Sequence, residues 1–251
     1  MRFTKALASA AGLLAAILAG ATASAAEVKI AVAANFTAAA KEIGALFEKA
    51  TGDKAVFSFG STGQLFTQIA QGAPFDVFLA ADQARPKKAV DEGLAVLGSR
   101  FTYATGRVVL FSMDKNRVKG GETLKHGKFA KIAICNPVTA PYGAASVEAM
   151  KSLGVYDTLR PKLVEGENIA QAYQFVATGN AELGFVALSQ VARRKGGSRW
   201  VVPQDLYKPI AQDAVLLKRG AGSDAARAFV AFLKGAEARK VEERYGYGAG
   251  E

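Results

Sequence analysis

The sequence predicts an α/β protein of two lobes, each a mainly parallel sheet flanked by helices. Three observations lead there. Short apolar runs alternate with segments of helical hydrophobic period. That alternation occurs twice, over residues 27–80 and again over residues 131–188. Two β-rich runs, residues 107–112 and 210–217, bracket the second set and look like strands that carry the chain from one lobe to the other and back. At 251 residues, half of them hydrophobic and 22% charged, the chain has the length for two modest domains and the apolar content for a substantial core.

The elements follow in order. Residues 1–25, MRFTKALASAAGLLAAILAGATASA, have the form of an export signal. Arg2 and Lys5 give a positive start, and Ala23-Ser24-Ala25 is a small-x-small cleavage site. The apolar run from Ala6 to Gly20 falls short of the roughly 20 residues that span a bilayer. Cleavage leaves 30 basic and 22 acidic residues, a charge of +8, and no second long apolar run, so the product is expected to be secreted or periplasmic and not embedded in the membrane. Lobe 1 then begins, over residues 26–106. Val28–Ala34 is a strand, followed by a helix through Ile43, Leu46 and Phe47 that Gly52 ends. Ala55–Phe59 is a strand, Leu65 and Ile69 mark a helix, and Phe75–Ala80 is a third strand. Lobe 2 is expected over residues 107–211. It has a strand at Lys131–Ile134, a helix through Val147, Met150 and Leu153, another opening at Gly166–Ile169, and a buried strand at Leu183–Leu188. Residues 212–251 return to lobe 1 and end in one helix from Ala225 to Glu243.

One cysteine, Cys135, and one histidine, His126, exclude an internal disulfide framework and a Cys/His zinc site. Cys135 follows an apolar strand and reads as a small buried hydrophobe, and His126, in Lys125-His126-Gly127-Lys128, reads as a surface residue. The formal charge of +10 raises the question of nucleic acid. The basic runs at Arg85, Lys87 and Lys88 and at Arg193, Arg194 and Lys195 lack interleaved aromatics and any recognisable motif, so no nucleic-acid partner is expected. Such a charge instead steers anions toward the surface.

Four turns carry small polar residues where a helix begins: Asn35-Phe36-Thr37, Ser61-Thr62-Gly63, Ala140-Pro141-Tyr142-Gly143 and Glu167-Asn168-Ile169. In an open α/β sheet these turns lie at the carboxyl ends of strands, where ligands collect, and free N–H groups at helix starts suit an anion. Helix capping alone accounts for any one of them. Two in each half, in matching places, favour an anion cleft between lobes. Neither the GxxxxGK[ST] loop nor GxGxxG is present. An exported hydrolase with Ser61 as nucleophile would need His126 or a lysine as base and lacks the GxSxG elbow, so no enzyme is expected.

Taken together, residues 32–37 (VAANFT), 59–63 (FGSTG), 72–82 (GAPFDVFLAAD), Asn136-Pro137 with residues 140–143 (APYG), and 184–188 (GFVAL) resemble the periplasmic molybdate-binding proteins of ABC transporters. The resemblance runs from Glu27 to Tyr247. It implies a two-lobed periplasmic binding protein fold of type II, usually monomeric, that closes on molybdate or tungstate and delivers it to a membrane permease, with no cofactor and no bare metal cation. The ligand residues it implies are Asn35, Ser61, Thr62, Tyr142 and Ile169, with Ile169 offering its backbone N–H and Tyr142 its backbone N–H and hydroxyl. The chain departs from the family pattern at Asn35 and Thr62, where serines are usual, and at Ala187, where a tyrosine is common. Tyr142 is then expected to supply the hydroxyl that Ala187 cannot. A receptor for sulfate or phosphate is the alternative. Phosphate keeps a proton at neutral pH and needs an acceptor, for which Asp76 and Asp82 are the nearby carboxylates, although both read as braces of a helix start.

Overall fold

The chain crosses between two sheets twice, and the crossings place the site. The computed structural model describes residues 25–250. The export signal expected at residues 1–25 lies outside them but for Ala25. In chain order the first part runs β1 (Glu27–Ala33), α1 (Thr37–Thr51), β2 (Lys54–Gly60), α2 (Thr62–Ala70), β3 (Val77–Leu79), α3 (Ala84–Asp91) and β4 (Phe101–Gly106). After Arg107 come β5 (Val108–Ser112), α4 (Glu122–His126), β6 (Ile132–Cys135), α5 (Pro141–Ser152), α6 (Tyr156–Leu159), β7 (Leu163–Gly166), α7 (Ile169–Ala177), β8 (Leu183–Ala187), α8 (Leu188–Val191) and β9 (Ser198–Val201). The chain ends with β10 (Ile210–Leu216), α9 (Asp224–Leu233), α10 (Ala236–Arg244) and β11 (Gly248–Ala249).

One sheet has the order β11-β4-β10-β3-β1-β2 and the other β7-β6-β8-β5-β9. Parallel pairs form where a helix connects the strands, as in β1 with β2 and β3, and β6 with β7 and β8. Both sheets are mixed rather than mainly parallel. β10 returns from the other lobe and enters antiparallel between β3 and β4, and β5 pairs antiparallel with β8 and β9. The runs at 107–112 and 210–217 therefore belong one to each sheet, and the crossings themselves are Arg107 and the segment between Val201 and Ile210. Sheet membership changes back at Ile210, two residues before the expected return at 212.

Each lobe has its own core. Val28, Ile30 and Val32 of β1 are fully buried, and α1 turns Ile43 and Phe47 onto them. Gly52 caps α1 in the left-handed conformation at φ +80°, as its place after the last apolar residue predicts. Phe47 meets Phe229 of α9 edge-on at 5.3 Å, which seats the C-terminal helices on lobe 1. The single helix expected from Ala225 to Glu243 is two, because Gly235 stands between Leu233 and Ala236 and caps the second. In lobe 2, Leu110, Ile132, Ile134 and Phe185 form the buried centre with Tyr142 and Met150. Cys135 is buried there, and burial pushes its thiol up to about 12, so it packs as an unreactive hydrophobe. Among the described residues no helix is long and apolar enough to cross a membrane.

Candidate anion site

Helix starts from both lobes converge between them, and their local sequence explains each one. α2 begins at Thr62, with Ser61 extended before it and its Oγ accepting from the Gln64 N–H at 3.4 Å. α5 begins at Pro141, where a missing N–H costs nothing. α7 begins at Ile169, and Asn168 Oδ1 accepts from the N–H groups of Ala170 and Gln171 at 3.0 and 3.1 Å. Asn35 lies in a single 3₁₀ turn, Ala34–Phe36, that leads into α1. The amides of Thr62, Tyr142 and Ile169 stand where no preceding turn supplies a carbonyl, and none has an acceptor among the described residues. Thr62 Oγ1 accepts the Ala81 N–H at 3.0 Å, which ties the end of β3 to the start of α2.

These starts converge on a small cavity of about 10 Å³. Asn35, Ser61, Thr62, Tyr142, Asn168 and Ile169 line it, and alanine, glycine and proline complete the wall. All five residues named from the sequence are thus brought to one place, together with Asn168, whose side chain caps α7. Among the described residues no charged side chain lines the cavity. Its polar walls are hydroxyls, side-chain amides and backbone N–H groups at the positive ends of helices.

The lobes meet around it. The Gly63 N–H donates to Thr139 O at 2.9 Å, Arg85 Nη2 to Val138 O at 3.0 Å, and Ser189 Oγ to Asn35 O at 2.8 Å. Arg85, expected as part of a surface basic run, is therefore a bond between lobes, oriented by Asp82. Asp76 accepts from the Lys29 N–H and pairs with Arg219. Neither carboxylate lines the cavity. Ala187 is buried in the lobe 2 core and is also absent from the wall. The Tyr142 hydroxyl sits at the crossing between lobes, 3.5 Å from Asn35 Nδ2. Around Asn35 stands a buried network that the sequence reading missed. Asn35 Nδ2 donates to Gln212 Oε1 at 2.6 Å and to the Tyr247 hydroxyl at 3.0 Å, and that hydroxyl donates to Asn35 O at 2.8 Å.

A family model described as "bacterial extracellular solute-binding protein" matches residues 28–248. The chain belongs to that family. As a solute-binding protein it is similar to the molybdate-binding protein ModA of Rhodobacter capsulatus, 58% identical over 207 residues and 82% of each chain. The solved structure of the periplasmic molybdate-binding protein of Azotobacter vinelandii superposes with a TM-score of 0.86 at 38% identity, covering 88% of this chain and 98% of that one. The sulfate-binding protein SubI of Mycobacterium tuberculosis gives a TM-score of 0.75 over 89% of this chain and 87% of its own, and at 12% identity that likeness concerns the fold alone.

Within this solute-binding protein the hydrolase constellation does not assemble. His126 is exposed on α4, paired with Glu122, and is not among the residues around Ser61. The donors that do assemble suit a bound anion, and one of them can be removed by a substitution at a helix start. Asn168 is extended at ψ 174°, a conformation that accepts a following proline, and position 169 is the first of its helix. Ile169→Pro is therefore expected to keep the start of α7 and remove one N–H donor, weakening anion binding about tenfold, with some loss of stability because the Ile169 side chain is buried in the lobe 2 core, while Ile169→Val binds as the parent does. Isothermal calorimetry on the two variants checks this.

Proposed function

We propose that this protein captures molybdate, and tungstate with it, in the cavity between its lobes and hands the anion to an ABC permease in the membrane. The observation that carries the reading is the convergence of helix starts from both lobes on a cavity with no charged side chain. A dianion held by many oriented N–H and O–H donors needs no buried counter-charge, and a buried charge would carry a heavy desolvation cost. The names of the relatives, molybdate-binding proteins at 58% and 55% identity, supply the ligand class. Asn35, Ser61 and Thr62 from lobe 1, and Tyr142 and Ile169 from lobe 2, are the binding residues in this reading. Binding from both sides gives the anion the role of closing the lobes.

Phosphate fits less well, because its remaining proton needs an acceptor and the carboxylates of Asp76 and Asp82 are engaged elsewhere. Sulfate is disfavoured by size, being smaller than molybdate, whereas tungstate is nearly equal to it. The protein acts as a carrier without turnover, since no titratable acid or base of ordinary range lines the cavity. The form of residues 1–25 and the periplasmic relative support work in the periplasm, where the protein, in this reading a monomer, meets its permease.

Thermal unfolding after exhaustive dialysis tests the reading. A ligand at a hundred times its dissociation constant adds about 2.7 kcal/mol, which at this size raises the midpoint by roughly 5–11 °C. That rise is expected with molybdate and tungstate and not with sulfate or phosphate. A rise with sulfate alone would replace the substrate, and no rise with any of the four would remove the anion reading.

A further inference from the structure

We propose that Tyr247 is a positioning residue for the anion site, fixing the Asn35 turn through its backbone carbonyl, and that the buried carboxyl of Glu242 seats it there only while it carries a proton. The part that concerns the anion rests on the reading of the cavity as an oxyanion site.

The C-terminal segment reaches the site from behind. After α10 the chain turns at Gly246, left-handed at φ +79°, and buries Tyr247 before β11 pairs with β4. The Tyr247 hydroxyl donates to Asn35 O at 2.8 Å, and its ring meets that of Phe36 edge-on at 5.2 Å. Ser189 of lobe 2 donates to the same carbonyl at 2.8 Å. One atom of the Asn35 turn thus takes a hydroxyl from each lobe, and fixing it fixes where the Asn35 side chain leaves the backbone at the cavity wall. Little beyond Tyr247 holds the segment, since β11 has two exposed residues at the edge of its sheet. The tie before it is Glu242, whose backbone O accepts the Tyr247 N–H at 3.1 Å.

The Glu242 side chain has an unmet need. It is 4% exposed, and its Oε1 has no partner among the described residues. An ionised carboxylate there lacks the donors that would offset its desolvation. The cations beside it are turned elsewhere. Arg239, one turn earlier on α10, donates to Lys234 O at 3.3 Å, and Lys234 Nζ stands over the Phe101 ring at 4.4 Å. From β4, Tyr103 presents a hydroxyl already given to Ala80 O, and Asp213, which also acts on Tyr103, is paired with Arg100 at 2.7 Å. On the α1 side Glu42 is paired with Arg244, and Glu243, next in the chain, adds a like charge. Burial therefore pushes the Glu242 carboxyl up to about 8, against the pull of Arg239.

A released segment exposes the carboxyl and returns it to the ordinary value of 4.5. The seated form is favoured fully below that value. It loses ground as pH rises, about tenfold per unit, until the seated carboxyl ionises as well near 8. Release takes the Tyr247 hydroxyl off Asn35 O, so the proton and the anion favour the same seated form.

Hydrogen exchange of the Tyr247 amide, followed by NMR and corrected for its intrinsic rate, tests this. The opening ratio is expected to rise about tenfold per unit between about pH 6 and 7.5 in the parent, and to stay level in Glu242→Gln, which keeps the shape and has no proton to lose. A level parent, or equal slopes in the two proteins, would overturn the proposal, since a merely structural role of Glu242 changes the ratio by one factor at every pH. Saturating molybdate is expected to slow the same amide about tenfold in the parent. In Tyr247→Phe, which keeps the ring and loses the hydroxyl, that slowing is expected to fall below about twofold. A molybdate-bound parent whose Tyr247 amide exchanges as before would overturn the link to Asn35. A parent that binds no oxyanion overturns the reading of the cavity itself, and differs from one that binds while this amide is unmoved.

Discussion

Ser61→Asp is expected to fold as the parent does and to lose anion binding by three orders of magnitude or more. The two halves of that expectation come from the same position. Ser61 is the N-cap of α2, its Oγ accepting from the Gln64 N–H, and aspartate is as good an N-cap as serine and better matched to the helix dipole. The helix start therefore tolerates the change. The cavity does not, because Ser61 lines it. Two unit charges about 4 Å apart repel by about 4 kcal/mol at an effective dielectric of 20, and each 1.4 kcal/mol is a factor of ten in affinity. A dianion feels the carboxylate more strongly, and the hydroxyl donor is lost as well. Ser61→Asn, a neutral N-cap of the same shape, is the control and should bind within about tenfold of the parent. Calorimetry and thermal unfolding decide the matter. An aspartate variant that binds nearly as the parent does would mean that the anion does not sit at the start of α2.

The readable part of this protein is the part whose chemistry is local. Ser61, Asn168 and Pro141 announce helix starts because a cap needs only its own neighbours, and the apolar runs beside them announce which end of a strand they follow. Four such turns in two matched sets pointed to an anion cleft, and it was the resemblance to a family that singled out Asn35, Ser61, Thr62, Tyr142 and Ile169 within them. Direction and edges were harder. β7, β9 and β11 lie at or near sheet edges, with exposed or mixed residues such as Glu165 and Arg199, so they lack the apolar run that marks a central strand. The antiparallel entry of β10 depends on where the chain crosses and leaves no trace in its own residues. The network at Asn35 is the clearest case of what stays hidden. Gln212 and Tyr247 lie 177 and 212 residues away, and nothing local marks either as a partner of Asn35. A buried glutamine in a crossing strand is the one sign, since a polar side chain in an apolar run needs a partner somewhere. Arg85 teaches the converse. In the sequence it belongs to a basic run, and in the fold it holds the carbonyl of Val138 across the cleft.

Gly106→Ala is expected to weaken anion binding by about a hundredfold while the protein without anion unfolds within a few degrees of the parent. Gly106 ends β4, one residue before the chain leaves lobe 1, and a Cβ there would overlap the Tyr142 hydroxyl and stand 2.9 Å from its Cζ. Tyr142 is one of the largest fully buried side chains, fixed in the lobe 2 core, and it has only two torsions with which to move aside. Overpacking of this kind costs about 1–3 kcal/mol. Because Gly106 belongs to the lobe 1 sheet and Tyr142 to the lobe 2 core, the overlap exists only with the lobes together. Its cost falls on the closed form and appears as lost affinity rather than lost stability. The shift of Tyr142 also carries its backbone N–H, at the start of α5, away from the anion. Two measurements separate this from general damage. Small-angle scattering with saturating molybdate should show a larger radius of gyration for Gly106→Ala than for the parent. Adding Tyr142→Phe, which removes the overlapping hydroxyl, should recover part of the lost affinity even though Tyr142→Phe alone weakens binding. If the double variant binds more weakly than Gly106→Ala, the two residues do not meet in the closed form, and the hydroxyl of Tyr142 belongs elsewhere.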